Sequence, residues 1–174
     1  MSPEQLLEAV GLKALPRAGW VRHGVPNPES VAAHSWGVAW LVMALLPPEM
    51  DRGLALAYAV LHDLPEVRVG DVTPMDGIAP AEKARREHDA ASGLFAGRPD
   101  LFALWQQYER QQDPEARFVR QLDRLDLALQ AVSYSTAEGP NLAEFLDSAG
   151  KFIREPALIE IFEALCRMRP HIEL

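Results

Sequence analysis

A histidine and an aspartate stand side by side at the end of a long apolar run. His62 and Asp63 follow residues 54–61, which are apolar without interruption and long enough for a helix that is buried on most sides. An ionised side chain buried there is costly unless something compensates its charge. A divalent metal ion would do so, because it takes a neutral imidazole and an ionised carboxylate as ligands together. The alternative is a helix that reaches the surface at His62 and exposes both side chains.

Two further candidate ligands lie on two other predicted helices. His34 comes one turn into a helix that Ser30 is suited to cap. Asp123 lies within a helix that opens with Asp113 as its N-cap and Pro114 at its first position. Taken alone, His34 is more simply a hydrogen-bonded structural histidine, and Asp123 marks the edge of a solvated face. The order of a histidine, a His-Asp pair and a distant aspartate on three helices is more specific than any one of them, and it favours a metal site.

The segment after Asp63 carries candidate acids and bases. Glu66, Asp71 and Thr73 lie in a stretch interrupted by glycine and proline, directly after the helix that would carry the ligands. Loops beside a metal are where catalytic acids and bases tend to lie. We therefore treat this stretch as part of the same candidate site.

These residues resemble a known family, the HD-domain phosphohydrolases, and within it the 5′-deoxynucleotidases that act on deoxynucleoside monophosphates. The resemblance covers roughly residues 17–134. The segments that carry it are RAGWV at 17–21, PESVAAH at 28–34, LHDLPEVRVGDVTP at 61–74, EKARRE at 82–87, LWQQYE at 104–109 and LDRLDLALQA at 122–131.

The resemblance implies one divalent ion held by four protein ligands, His34, His62, Asp63 and Asp123. This mixed nitrogen and oxygen set suits manganese, cobalt, iron, zinc or nickel better than calcium, and magnesium remains an option. Such an ion polarises the phosphate and makes a bound water more acidic, so no serine or cysteine nucleophile is needed.

The resemblance also implies roles around the ion. Glu66 and Asp71 match catalytic positions, Glu66 orienting or deprotonating the attacking water and Asp71 holding a water or protonating the leaving 5′-oxygen. The sequence does not distinguish which of the two carboxylates is the base and which is the acid. Arg17 is similar to an arginine that clamps phosphate, for which its planar fork is suited. Trp20 would shape the sugar pocket and Thr73 would contact a sugar hydroxyl or a water, although packing and local capping explain both residues equally well.

The chain departs from the family pattern at two positions. Pro65 stands where a small helix-compatible residue is expected, so we predict that the helix ends or bends just past Asp63. Asp126 replaces a more usual glutamate one turn beyond Asp123, and we interpret it as a residue that supports the site or the fold.

The predicted function is hydrolysis of deoxyribonucleoside 5′-monophosphates to deoxynucleoside and phosphate. One alternative is an HD-type phosphodiesterase that shares the metal site but cleaves cyclic or other nucleotide diesters. The other is a non-catalytic helical module that binds metal or nucleotide, or recognises a partner protein. A panel of monoesters and diesters would separate the three.

Composition limits the choice of partner and location. A content of 48% hydrophobic and 24% charged residues is ordinary for a soluble globular protein, and no apolar stretch is long enough for a membrane span. The net charge of −8, without a long Lys/Arg cluster, argues against a nucleic-acid polymer as partner and leaves a small nucleotide. The single cysteine, Cys166, allows no internal disulfide, so we expect a cytoplasmic protein. Relatives of this kind commonly form homodimers, which we expect here as well.

The fold expected for these 174 residues is all-α, a single-domain HD-domain helical bundle over 1–174, with the motifs in about 17–134 and C-terminal helices in 141–168. No strand-like alternation appears. The predicted helices are 3–13, 30–46, 51–64, 80–96, 100–112, 114–136, 141–152 and 156–168.

Overall fold

Ten α-helices and two short 3₁₀ helices form the regular structure of residues 1–135 and 139–168, which are the residues that the computed structural model describes. The α-helices are α1 (Pro3–Val10), α2 (Ala18–Arg22), α3 (Val31–Leu45), α4 (Arg52–Leu61), α5 (Glu66–Val69), α6 (Pro80–Leu94), α7 (Pro99–Arg110), α8 (Pro114–Tyr134), α9 (Ala143–Gly150) and α10 (Pro156–Arg167). The 3₁₀ helices are Gly11–Ala14 and Pro74–Asp76. Within these ranges no strand forms, and the all-α prediction is confirmed.

The helices that carry the site begin where side chains cap them. Ser30 accepts a hydrogen bond from the Ala33 amide at the start of α3, and Asp113 accepts one from the Ala116 amide at the start of α8. These caps satisfy amide groups that a helix leaves without partners in its first turn. Proline occupies the first turn of five of the α-helices, because its missing amide and fixed φ suit that position: Pro3, Pro80, Pro99, Pro114 and Pro156.

The prediction missed α2 and α5, which have five and four residues. Helices this short show no repeating apolar pattern, so the sequence gives little sign of them. The helix predicted over 51–64 ends at Leu61, and Pro65 then precedes α5. The helix break expected near Asp63 is therefore present. The helix predicted over 114–136 ends at Tyr134; residue 136 lies outside the described residues.

Three helices, α3, α4 and α8, pack together at the centre of the main hydrophobic core, and α9 and α10 pack on α8. The main core runs from Trp20 to Leu165 in sequence, and a smaller cluster joins the end of α4 to α6 and α7. Every helix in the two described ranges is too short or too polar to cross a bilayer. The predicted domain covers residues 1–174, and its last six residues, 169–174, lie outside the described ranges.

Candidate metal centre

The crossing of α3, α4 and α8 brings together the histidines and aspartates that the sequence singled out. His34 lies on α3, His62 and Asp63 follow directly after α4, and Asp123 lies near the middle of α8. The two histidines and Asp123 are buried, with exposures of 1%, 6% and 8%. Polar side chains in such a place need partners.

The ligand atoms of these residues converge on one small space. One ligand atom from each of His34, His62 and Asp123 lies within 4.8 Å of the others. The Nε2 atom of His34 is 3.2 Å from Asp123 Oδ1, and that of His62 is 3.2 Å from Asp63 Oδ2. The Asp63 oxygen is also 3.7 Å from His34 Nε2, which makes it the fourth donor around the same space.

Both Nε2 atoms are fully buried and have no hydrogen bond of good geometry, despite their short distances to the carboxylates. A buried nitrogen left in this way is costly unless a cation uses its lone pair. Two imidazole nitrogens and two carboxylate oxygens are suitable donors for a transition-metal ion. The residues present therefore fit a divalent metal, and the chain carries a His/Asp cluster able to hold one.

The other ring nitrogens of the two histidines are held from behind. His34 Nδ1 lies 2.7 Å from Asp126 Oδ2, and His62 Nδ1 lies 3.0 Å from the Ala59 carbonyl oxygen. Both oxygens can accept a hydrogen bond from Nδ1–H, which leaves Nε2 as the nitrogen available to a metal.

The charges in the site alter the protonation of both histidines in the metal-free protein. Burial lowers the pKa of His34, and so does the charge of Arg17. The neighbouring carboxylates Asp123 and Asp126 act in the opposite direction and prevail, so the pKa of His34 is raised to about 9. Burial likewise opposes protonation of His62, but Asp63 outweighs it and raises its pKa. A proton and a metal ion therefore compete for the same nitrogens.

Asp63 and Asp123 stay ionised because positively charged side chains lie beside them. Burial alone would raise the pKa of Asp63, but His62 and then Arg17 hold it well below its usual range. For Asp123, burial is likewise outweighed, first by the charge of Arg124 and then by His34, and its pKa is lowered. Ionised carboxylates are the form that binds a metal.

Arg17 and Asp71 lie at the edge of the cluster. Arg17 Nη1 is 3.3 Å from Asp63 Oδ2 and 3.9 Å from Asp71 Oδ1. Asp71 Oδ2 also accepts a hydrogen bond of 2.7 Å from the Ala18 amide, at the start of α2. Arg17 thus ties a candidate ligand to a candidate catalytic acid, and its side chain is largely buried.

Glu66 is a buried carboxyl beside this cluster. It is 4% exposed at the start of α5, and its Oε2 has no hydrogen-bond partner. Burial, followed by the charges of Asp63 and Asp71, raises the pKa of Glu66 to about 10. It therefore holds a proton at neutral pH in the metal-free protein.

Within the described residues, the hydrogen bonds and ring contacts of Trp20 and Thr73 involve none of the four candidate metal ligands. Trp20 is 1% exposed, packs against Phe145 in the main core, and donates its indole N–H to Glu29 at 2.9 Å. The Thr73 hydroxyl is at the surface, where it contacts the Asp76 carboxylate and the Arg22 guanidinium. Packing and local capping account for these contacts.

A cleft of about 140 Å³ opens onto the candidate centre. Its walls include His62, Asp63, Glu66 and Asp123, together with three cations, Lys83, Arg120 and Arg124. Sequence reasoning assigned no role to Arg120 and Arg124, and it included Lys83 only within EKARRE, one of the segments that carry the family resemblance. The sequence sign that could have identified Arg124 is its position directly after Asp123.

The helical fold and the His, His-Asp, Asp set on three packed helices define an HD-domain protein. The chain matches the HD domain family over residues 9–158, and it belongs to that family. It is 38% identical over 170 residues to the 5′-deoxynucleotidase HDDC2 of Homo sapiens, a match that covers 92% of this chain and 83% of the relative. The HDDC2 protein of Danio rerio is 36% identical over 170 residues, with 92% and 84% covered.

A solved structure shows the same fold. The PH0347 protein from Pyrococcus horikoshii OT3 superposes with a TM-score of 0.83 and 31% sequence identity, covering 97% of this chain and all of the other.

Proposed function

We propose that the protein is a metal-dependent phosphomonoesterase that hydrolyses deoxyribonucleoside 5′-monophosphates to a deoxynucleoside and phosphate. The observation that carries this proposal is the pair of buried imidazole nitrogens without partners, which face two ionised carboxylates beside an open cleft. The names of the human and Danio rerio relatives, both 5′-deoxynucleotidases, support this choice of substrate.

The four proposed metal ligands are His34, His62, Asp63 and Asp123. The mixed donor set favours manganese, cobalt, iron, zinc or nickel, with magnesium as a further candidate. A bound divalent ion supplies Lewis-acid polarisation of the phosphoryl group and a lower pKa for water. With that chemistry available, the reaction needs no protein nucleophile.

Glu66 and Asp71 are the proposed proton-handling groups. Positive charge beside Glu66 favours its ionised form, which can orient the attacking water and accept its proton. Asp71, held by the Ala18 amide and close to Arg17, is placed to hold a water or to protonate the leaving 5′-oxygen.

Arg17 is the proposed phosphate clamp. Its guanidinium already lies beside the ligand Asp63, so a phosphate oxygen near the metal comes within its reach. We keep Trp20 and Thr73 as substrate-binding candidates from the sequence. The indole of Trp20 is enclosed in the core, so Trp20 can act only indirectly, by fixing the position of α2 against the core. Thr73 can reach a sugar hydroxyl only by giving up its contact with Arg22 or Asp76. Rejection of ribonucleotides would come from a site that leaves no room or partner for the 2′-hydroxyl.

The test is phosphate release from a panel of deoxynucleoside and ribonucleoside 5′-monophosphates, with one cyclic nucleotide as the diester. We expect the deoxy-monophosphates to be cleaved well above the ribonucleotides, and the diester to stay intact. Preferential cleavage of the diester would replace the proposal with the phosphodiesterase alternative. Metal binding without any cleavage would favour a binding module.

We also propose that the protein forms a homodimer through α3. Trp36, Trp40 and Met43 lie about one turn apart on this helix and are 71%, 58% and 50% exposed. Large exposed apolar side chains in one stripe are typical of an interaction surface. Light scattering should give a dimer mass for the native protein and a monomer mass for Trp36→Glu. Met75→Glu, at an exposed methionine that lies outside α3, is the control and should stay dimeric. A monomeric native protein would contradict this proposal.

A cytoplasmic location is part of the same proposal. Its support is the single cysteine, Cys166, which leaves these 174 residues without an internal disulfide.

A further inference from the structure

A glycine in the middle of α3 is out of place by helix preference alone. Gly37 lies fully inside a 15-residue helix, where glycine is less favourable than alanine. Its φ is not positive, so the backbone does not require glycine. The reason for it must therefore lie in what a side chain would meet.

A Cβ atom at Gly37 would meet the side chain of Asp126. It would lie 2.2 Å from Asp126 Oδ1 and 2.9 Å from Asp126 Cγ, far closer than such atoms approach. Asp126 is on α8. Because Gly37 has no side chain, the carboxylate of Asp126 fits into the contact between α3 and α8.

The same carboxylate holds a candidate metal ligand with its other oxygen. Asp126 Oδ2 lies 2.7 Å from His34 Nδ1, and the aspartate side chain is only 13% exposed. The two helices are arranged with matching spacing. Gly37 is three residues after His34 on α3, and Asp126 is three residues after Asp123 on α8. Each helix therefore carries a candidate ligand on one face. One turn later, the same face carries one of the two residues of the contact between Gly37 and Asp126.

Glu29 is close enough to form an acidic group with His34 and Asp126, but it is engaged elsewhere. Its carboxylate accepts the indole N–H of Trp20, and its backbone amide donates to the Tyr134 hydroxyl at 2.8 Å. Asp126 is accordingly the carboxylate bonded to the His34 ring.

We infer that Asp126 is a positioning residue for the metal site, and that Gly37 provides the clearance that lets it reach His34. The inference rests on the proposed function, since it takes His34 as a metal ligand. By accepting a hydrogen bond from Nδ1–H, Asp126 fixes the His34 ring so that Nε2 faces the ion, and its negative charge makes Nε2 a stronger metal ligand. His62 obtains the same support from the Ala59 backbone carbonyl, which no substitution removes. His34 is thus the histidine whose orientation depends on a replaceable side chain.

The test is a Co²⁺ titration of metal-free protein, followed by visible absorption and calorimetry. We expect Asp126→Asn, which keeps the shape and loses the charge, to weaken Co²⁺ binding about 10- to 100-fold and to shift the Co²⁺ absorption bands. Asp126→Glu should recover part of the affinity. Asp147→Asn, on the exposed side of α9, is the control and should bind as the native protein does.

Gly37→Ala tests the clearance, and a double substitution tests the link between the two residues. Gly37→Ala alone should weaken Co²⁺ binding by a similar factor. In an Asp126→Ala background, where no carboxylate fills the space, the same change should have no further effect. Gly53→Ala is the matched control, because its methyl group would also crowd an aspartate oxygen, Asp51 Oδ1 at 3.2 Å, but one that contacts no ligand.

Native Co²⁺ affinity and an unshifted spectrum in folded Asp126→Asn would overturn the inference. An equal effect of Gly37→Ala with and without Asp126 would do the same, because it would show that the methyl group acts elsewhere. Circular dichroism and the melting temperature of each metal-free variant show that it is folded. Assays of deoxynucleotide cleavage by the native protein judge the proposed function separately. A native protein that binds Co²⁺ but cleaves no nucleotide refutes that function, while the Co²⁺ titrations still decide the role of Asp126.

Discussion

Removal of the metal should lower the stability of the fold by an amount that can be worked out in advance. In the folded protein, His34, His62 and Asp123 converge on one space, whereas in the unfolded chain they are far apart and bind weakly. A ligand that binds only the folded state at 100 times its dissociation constant stabilises it by about 2.7 kcal/mol. For a chain of this size each kcal/mol shifts the melting temperature by roughly 2–4 °C. Metal loading should therefore raise the melting temperature by about 5–11 °C.

The size of this shift should depend on pH in a defined direction. In the metal-free protein the pKa of His34 is raised to about 9, above its ordinary value. Protonated His34 therefore stabilises the folded state. This contribution is fully present below about pH 6.5 and is lost as the pH rises towards 9. The metal-free protein should become less stable over this window, while metal binding gains because fewer protons compete. The difference between the two melting temperatures should widen from pH 6.5 to pH 9.

The assay is thermal unfolding followed by circular dichroism, with chelator-treated protein and protein reloaded with Mn²⁺ or Co²⁺. His62→Ala is the comparison, because it removes one ligand nitrogen and should reduce the shift to a small fraction. No shift in the native protein, or an equal shift in His62→Ala, would refute the reasoning. A shift that narrows with rising pH would contradict the proposed competition between protons and metal.

Three further predictions concern catalysis and the elements that hold the site. Glu66→Gln should lower kcat by roughly 10²–10⁴-fold, yet leave the melting temperature of the metal-free protein nearly unchanged at pH 7, because the buried glutamate is already neutral there; native kcat would exclude a role in proton transfer. Asp113→Ala should destabilise the fold by about 2–3 kcal/mol in urea unfolding, since it removes the α8 cap and leaves the buried Tyr58 hydroxyl without its acceptor at 3.0 Å. Asp113→Asn should lose less stability than Asp113→Ala, and equal losses in the two variants would contradict this explanation. Leu122→Ala, at a fully buried position beside Asp123, should cost about 2–5 kcal/mol, and a loss below about 1 kcal/mol would show that the α8 contact adjusts around it.

The sequence predicted the parts of the fold that local chemistry determines. Ser30 and Asp113 marked the starts of α3 and α8, since capping depends on residues within one turn. The helices α2 and α5 were missed, because four or five residues show no periodicity. Pro65 correctly indicated a helix break near Asp63, although α4 already ends at Leu61.

The candidate site divides in the same way. The spacing of His34, His62 and Asp123 on separate helices suggested a common site, and the structure brings them together. The approach of Lys83 on α6 to the same cleft depends on how that helix packs, which no local pattern records. The clearance between Gly37 and Asp126 likewise belongs to a contact between two helices.

The central claim is that these residues hold a metal with which the protein cleaves deoxynucleoside monophosphates. The most direct measurement compares chelator-stripped, Mn²⁺- or Co²⁺-reloaded native protein with His62→Ala, recording bound metal per chain and phosphate released from a deoxynucleoside 5′-monophosphate. The account predicts about one bound ion and metal-restored phosphate release in the native protein, with both lost in His62→Ala. Phosphate release that persists after the metal is removed, or in His62→Ala, would contradict it.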